Sequence, residues 1–116
     1  MNFNSEQAIY TQIADLVCEN ILRRIWKEGD MAPSVREMAV NLQVNPNTIT
    51  RAYTYLQDKG IIEVKRGIGF RIPEGSYEKT LQLVKDDFIT NDLPKLKKKL
   101  DLIGLKPEDL TTHLQP

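Results

Sequence analysis

A chain of 116 residues with 16 basic and 16 acidic side chains, 41% hydrophobic and 28% charged, has the size of one core with room for a small appendage, and the balance of an ordinary globular protein. That excludes a second catalytic domain and a chain too charged to fold. No apolar run approaches the roughly 18 residues that span a bilayer. The opening "MNFNSEQAIY" lacks a basic start followed by an apolar stretch, so a cytoplasmic protein is expected, with no membrane partner. The single cysteine, Cys18, can close no intramolecular disulfide and assemble no zinc site, and it reads as a small apolar residue.

From about Glu6 to Trp26, the apolar residues Ile9, Ile13, Leu16, Val17 and Ile21 recur at steps of three and four, which predicts a long first helix. Gly29 is its expected left-handed cap, and Trp26 is expected to anchor its end in the core. Ser34 then stands three residues before Glu37, the spacing of a capping box. Val35, Met38, Ala39 and Leu42 give the second helix one buried stripe, with Arg36 off it. A cation in a first turn opposes the helix dipole, so Arg36 reads as serving something outside the helix; the bland reading is an ion pair with Glu37.

After the two-residue connection "QV", Asn45 suits an N-cap and Pro46 a first helical position. Ile49, Ala52, Tyr53 and Leu56 form the buried face of this third helix and Gly60 ends it, while Asn47, Thr48 and Arg51 crowd its front with polar groups. Tyr53 is expected in the core and Tyr55 partly exposed. "IIEV" and "FRI" read as two short strands joined by "KRGIG", a basic-tipped hairpin. Three helices and such a hairpin are the order of a winged helix-turn-helix, whose third helix enters the major groove of DNA. Net charge is zero, but residues 34–73 hold six basic side chains against three acidic ones, a local excess of three. Arg36, Arg51, Lys59, Lys65, Arg66 and Arg71 supply it.

Beyond Pro73-Glu74-Gly75 helical spacing returns. Tyr77, Leu81, Val84 and Phe88 form one run, Asn91 and Asp92 interrupt it, and Leu93, Leu96, Leu100 and Ile103 form a second before Gly104; "KPEDL" opens a further short turn. Two short amphipathic helices do not cover their own apolar faces, so a second subunit is expected to. The cluster "KLKKKL" reads as a solvated helix face. The expected fold class is therefore mainly α with a small β-hairpin: a winged helix-turn-helix domain at residues 1–74 followed by a short helical dimerisation segment at 75–116.

The blocks "IYTQIADLVCENILRRIWKEGD", "PSVREMA", "VNPNTITRAYTYLQDKGII" and "GIGF", and more weakly "LIGLKPEDL", resemble the GntR family of bacterial transcription regulators, within it the small YtrA-like group. The resemblance implies a homodimeric regulator, expected to be a repressor, on a two-fold symmetric operator in double-stranded DNA. It implies no cofactor and leaves a small-molecule effector unspecified. The residues it places at DNA are Ser34, Arg36, Asn45, Asn47, Thr48, Thr50 and Arg51, with Lys65, Arg66 and Gly67 on the hairpin. Those it places in the dimer are Tyr77, Leu81, Val84, Phe88, Leu93, Leu96, Leu100 and Ile103.

Arg51 has the reach for a bidentate contact to guanine, Asn47 and Thr48 suit phosphates or adenine edges, and Asn45 reads chiefly as a cap. Two other classes compete. A protein-interaction module that has lost DNA binding would suit zero net charge, and would lack salt-dependent affinity for DNA. An enzyme has the least support, since one histidine (His113, read as a tail residue), one cysteine and no phosphate-binding glycine loop assemble no general-base pair and no metal cluster.

Overall fold

The computed structural model of the chain describes residues 5–116, with side chains from Ile9 onward; Met1–Asn4, part of the stretch read as lacking a leader, lie outside them. Helix α1 spans Ser5–Leu22 and turns Ile13, Ala14, Val17, Cys18 and Ile21 inward against the third helix. Large apolar residues alone would place Ile9 and Leu16 on that face, yet each is 38% exposed. The small side chains of Ala14 and Cys18 allow close approach of a neighbouring helix, and the buried stripe is shifted toward them.

The first helix also ends before the expected Trp26. Arg24 takes a left-handed φ of 62°, and the N–H groups of Ile25 and Trp26 donate to the Asn20 carbonyl at 2.9 and 3.1 Å, closing the helix end. Trp26 is only half-buried. Gly29, at φ 96°, does another job: its N–H donates to the Ile72 carbonyl at 2.7 Å and ties the loop to the hairpin.

Helices α2 (Val35–Leu42) and α3 (Pro46–Asp58) form the helix-turn-helix. Their junction is tight because both ends are locally satisfied. The Ser34 N–H donates to the Glu37 carboxylate at 2.9 Å, and the Glu37 N–H donates to the Ser34 hydroxyl at 3.0 Å, a reciprocal cap. Gln43 closes α2 in a left-handed conformation, φ 56°, and the Asn45 side chain accepts the Asn47 N–H at 2.8 Å. On α3, Ile49, Ala52, Tyr53 and Leu56 are buried as their spacing predicts. The Tyr53 hydroxyl donates to the Pro33 carbonyl at 2.6 Å and its ring meets Phe70 edge-on at 4.9 Å, so one side chain joins α3, the turn before α2 and the hairpin. Burial, and then the Glu37 carboxylate, push the Tyr53 phenol well above the usual tyrosine range, so it remains a donor.

Strands β1 (Glu63–Lys65) and β2 (Gly69–Arg71) pair antiparallel with Val64 opposite Phe70. The loop after α1 adds a third, strand-like edge: Met31 bridges Arg71, the Ala32 N–H donates to Phe70 at 2.9 Å, and the Ile72 N–H donates to Asp30 at 2.8 Å. Ile61, Ile62 and Ile72, at the base of the hairpin, are buried.

Compactness divides the chain between Gln82 and Leu83, inside helix α4 (Ser76–Asp87), and so later than the boundary expected at residue 74. The opening turn of α4 is built into the first unit. Ser76 and Thr80 are fully buried, and the Ser76 hydroxyl donates to the Ile61 carbonyl at 2.7 Å. The Glu28 carboxylate accepts the Tyr77 N–H at 3.1 Å, and the Arg24 guanidinium lies 4.0 Å from the Tyr77 ring centroid.

In the second unit, the expected break at Asn91 and Asp92 is instead a π-helical turn, Phe88–Asp92, leading directly into α5 (Leu93–Ile103). The Leu93 N–H donates to the Phe88 carbonyl, an i to i+5 bond. Phe88 and Leu93 stand five positions apart, a spacing that an α-helix would splay and that a π turn brings into line. The two apolar runs are therefore joined. Gly104, at φ 76°, caps α5; a 3₁₀ turn at Pro107–Leu110 and the short α6 (Thr111–Leu114) follow.

Candidate nucleic-acid interface

Asn47, Thr50, Arg51, Thr54 and Asp58 recur at helical spacing along one side of α3, and all five are exposed. This is the face the buried stripe leaves over. Pro46 at the first turn and the Asn45 cap fix where the helix begins, and so where these side chains start. Thr50 is exposed, but its hydroxyl donates back to the Pro46 carbonyl at 3.1 Å.

Thr48, also expected at DNA, is only 9% exposed. Its position one turn before Ala52 puts it on the covered face of α3, a placement its polarity hides. Ser34 and Asn45 are exposed, but their side-chain oxygens are engaged as helix caps. Arg36 is exposed on the first turn of α2, beside the cap. On the hairpin, Lys65, Arg66 and Gly67 are all exposed; Gly67 sits at φ 77°, and the Ile68 N–H donates to the Lys65 carbonyl at 2.9 Å, closing the turn. Ile68, 74% exposed beside them, carries an apolar group to the tip that sequence reasoning passed over. Arg71, counted in the local positive charge, is paired with Glu63 at 2.5 Å across the strands, so the basic character of the hairpin concentrates at Lys65 and Arg66.

Aromatic rings add to the α3 face. The Arg51 guanidinium lies 4.6 Å from the centroid of the Tyr10 ring on α1; Tyr10 meets Tyr55 edge-on at 6.3 Å, and Lys59 lies 5.7 Å from the Tyr55 ring. Tyr10, Thr50, Arg51, Thr54, Tyr55 and Asp58 line an open groove of about 350 Å³. Tyr10 was missed because no local pattern links it to Arg51: the pair forms only once α1 packs on α3. Cys18 offers no chemistry of its own, since burial, helped by Asp15, pushes its thiol up to about 12 and keeps it protonated.

The residues placed in a dimer divide. Val84, Phe88, Leu93, Leu96 and Ile103 are exposed, and Ile89 and Leu102 join them. Leu100 is 7% exposed and is taken up within its own chain. Tyr77 and Leu81 are half-buried, and the face of the Tyr77 ring is occupied by Arg24.

A helix-turn-helix with a polar-fronted second helix and a basic-tipped hairpin defines a winged-helix DNA-binding protein. The family model of the bacterial regulatory proteins of the gntR family matches residues 9–72, and the chain belongs to that family. It is 40% identical over 106 residues to the HTH-type transcriptional repressor YtrA of Bacillus subtilis, covering 91% of this chain and 81% of that one. Among solved structures, it resembles a GntR family transcriptional regulator from Listeria monocytogenes with a TM-score of 0.74 at 28% identity, over 91% of each chain. It also resembles S. agalactiae BusR, solved in complex with its busA-promotor DNA, with a TM-score of 0.64 at 27% identity over 79% of this chain and 46% of that one. The protein is thus a transcriptional regulator with a DNA-binding fold, not an enzyme. None of its described helices is long and apolar enough to cross a membrane.

Proposed function

We propose that the protein is a cytoplasmic repressor that binds, as a homodimer, an operator with two-fold symmetry. The observation that carries the reading is the exposed stripe of Asn47, Thr50 and Arg51 at the front of α3, together with the exposed Lys65 and Arg66 at the hairpin tip. In this arrangement α3 lies in the major groove, Arg51 reads a base edge, Asn47 and Arg36 hold the backbone, and the hairpin steadies the complex through phosphates. Contacts of the second kind supply affinity for any sequence, and Arg51 supplies choice. The repressor assignment follows the YtrA relative, a transcriptional repressor, and the dimer is supported by the apolar side chains that the second unit leaves exposed.

Selection of bound fragments from genomic DNA tests the reading. The expected product is a palindrome whose half-sites lie about 34 Å, one DNA turn, apart. Arg51→Ala should cost about 1 to 3 kcal/mol and relax preference at one base pair, whereas loss of Lys65 and Arg66 should weaken all sequences alike and lessen the salt dependence. A protein that recovers no sequence, or binds mixed DNA without dependence on salt, is not this regulator.

A further inference from the structure

The tip of the hairpin sets an apolar side chain beside two exposed cations, Lys65 and Arg66. Lys65–Ile68 form the turn, closed by the Ile68 N–H on the Lys65 carbonyl at 2.9 Å, and Gly67 at its third position supplies the positive φ of 77°. Gly69 follows at φ 139°, so Ile68 has no side chain on either neighbour, and it stands 74% exposed. The backbone conformation accounts for both glycines. It does not account for the isoleucine, since a side chain so exposed draws little stability from burial. Branching at Cβ leaves Ile68 few rotamers, so holding it against a surface costs little entropy.

We propose that Ile68 is a specificity-determining residue: it enters the minor groove and selects A·T over G·C pairs there, a source of sequence choice separate from Arg51. This rests on the DNA-binding reading above. The minor groove is about 6 Å wide, a width that suits one branched side chain between two bare glycines. In this arrangement Lys65 and Arg66 meet the phosphates along its walls. Hydrogen-bond acceptors line the groove at every pair, but only G·C adds a donor, the guanine N2 amino group. An isoleucine pressed on that amino group shuts it off from water and offers no acceptor in return, so G·C is disfavoured. The bland alternative is a β-branched residue that simply suits the start of β2. Threonine would serve that purpose equally, and its hydroxyl would accept a hydrogen bond from guanine N2.

The test uses the full chain and the fragment recovered by selection, with each A·T pair replaced in turn by G·C and by inosine·C, which keeps the major-groove edge of G·C but lacks the N2 amino group. Failure of the wild-type protein to prefer any fragment would remove the DNA-binding reading itself, before Ile68 is touched. With wild-type preference in hand, G·C at the pair under the hairpin is expected to weaken binding about fivefold, and inosine·C to restore it. Ile68→Val keeps an apolar branch and should retain that discrimination. Ile68→Thr has nearly the same shape with a hydroxyl, and should reduce it to less than about twofold while leaving the melting temperature and the preference lost in Arg51→Ala unchanged. If inosine·C behaves as G·C at every discriminating pair, the choice is made in the major groove and the inference is overturned. Equal discrimination by Ile68→Val and Ile68→Thr would overturn it too, because the groove would then be read by other groups.

Discussion

The two units of the chain differ in what they bury. Up to Gln82, Val17, Ile21, Ile49, Tyr53, Leu56, Ile61, Ile62 and Ile72 are each at most 2% exposed. From Leu83 onward Leu100 is the one buried side chain among the described residues, and Phe88, Ile89, Leu96, Leu102 and Ile103 stand in solvent. Burial of apolar surface is the main favourable term in folding, so the first unit contains the source of its own stability. Short helices owe most of theirs to packing of an amphipathic face, and the second unit presents such a face uncovered. The lesson is that the two halves obey different rules: in one, a mutation acts through the core, and in the other through whatever lies against it.

The largest effect that would sharpen this contrast is expected at Leu56, fully buried on α3. Leu56→Ala should destabilise the first unit by about 3 kcal/mol, read as a lower urea midpoint. A loss below about 1 kcal/mol would mean that this core is looser than its burial implies. Next comes the pair Phe88→Glu with Leu96→Glu, which places charge on the exposed face of the second unit. It should convert a dimer into a species of 13.3 kDa in light scattering, and lower operator affinity on the order of a hundredfold by removing the second reading head. An unchanged mass would break the comparison, because the apolar face would then be covered by something other than a second copy.

The smallest effect concerns the opening of α4. The N–H groups of Tyr77 and Gly75 hold the Glu28 carboxyl below its ordinary 4.5. A carboxyl lowered in the folded state adds stability that is fully present above its unfolded value, and this is lost as the pH falls through the folded one. Glu28→Gln should therefore lower stability slightly at neutral pH, leave the acid end little changed, and so flatten the acid limb of the stability curve. Thermal melts across the range from pH 3 to 7 would show whether that limb belongs to Glu28.

Legibility followed locality. The helix-turn-helix could be read because Ser34 with Glu37, and Asn45 with Pro46, satisfy backbone groups within a turn of themselves. The hairpin could be read for a similar reason, from two glycines between short β-branched and aromatic runs. The end of α1 could not, since an arginine has no intrinsic preference for the left-handed conformation that Arg24 adopts, while Gly29 offered the conventional cap. The burial of Thr48 and Leu100 was not legible, because residue type and spacing do not say which neighbour covers a side chain. Of the candidate interface, Asn47 and Arg51 were visible at the front of their own helix, whereas the Tyr10 ring beside Arg51 depends on how α1 docks.

The π-helical turn at Phe88–Asp92 holds one residue more than an α-helix would use over the same rise. The surplus is absorbed where it occurs, as a widening, and is not handed on as rotation. Chain length at this point is thereby decoupled from the direction in which Leu96 and Ile103 project. Shortening the widened turn by one residue would restore an ordinary α-helix with the apolar side chains still aligned. The same deletion made inside α5 would swing everything beyond it by about 100° and scatter them.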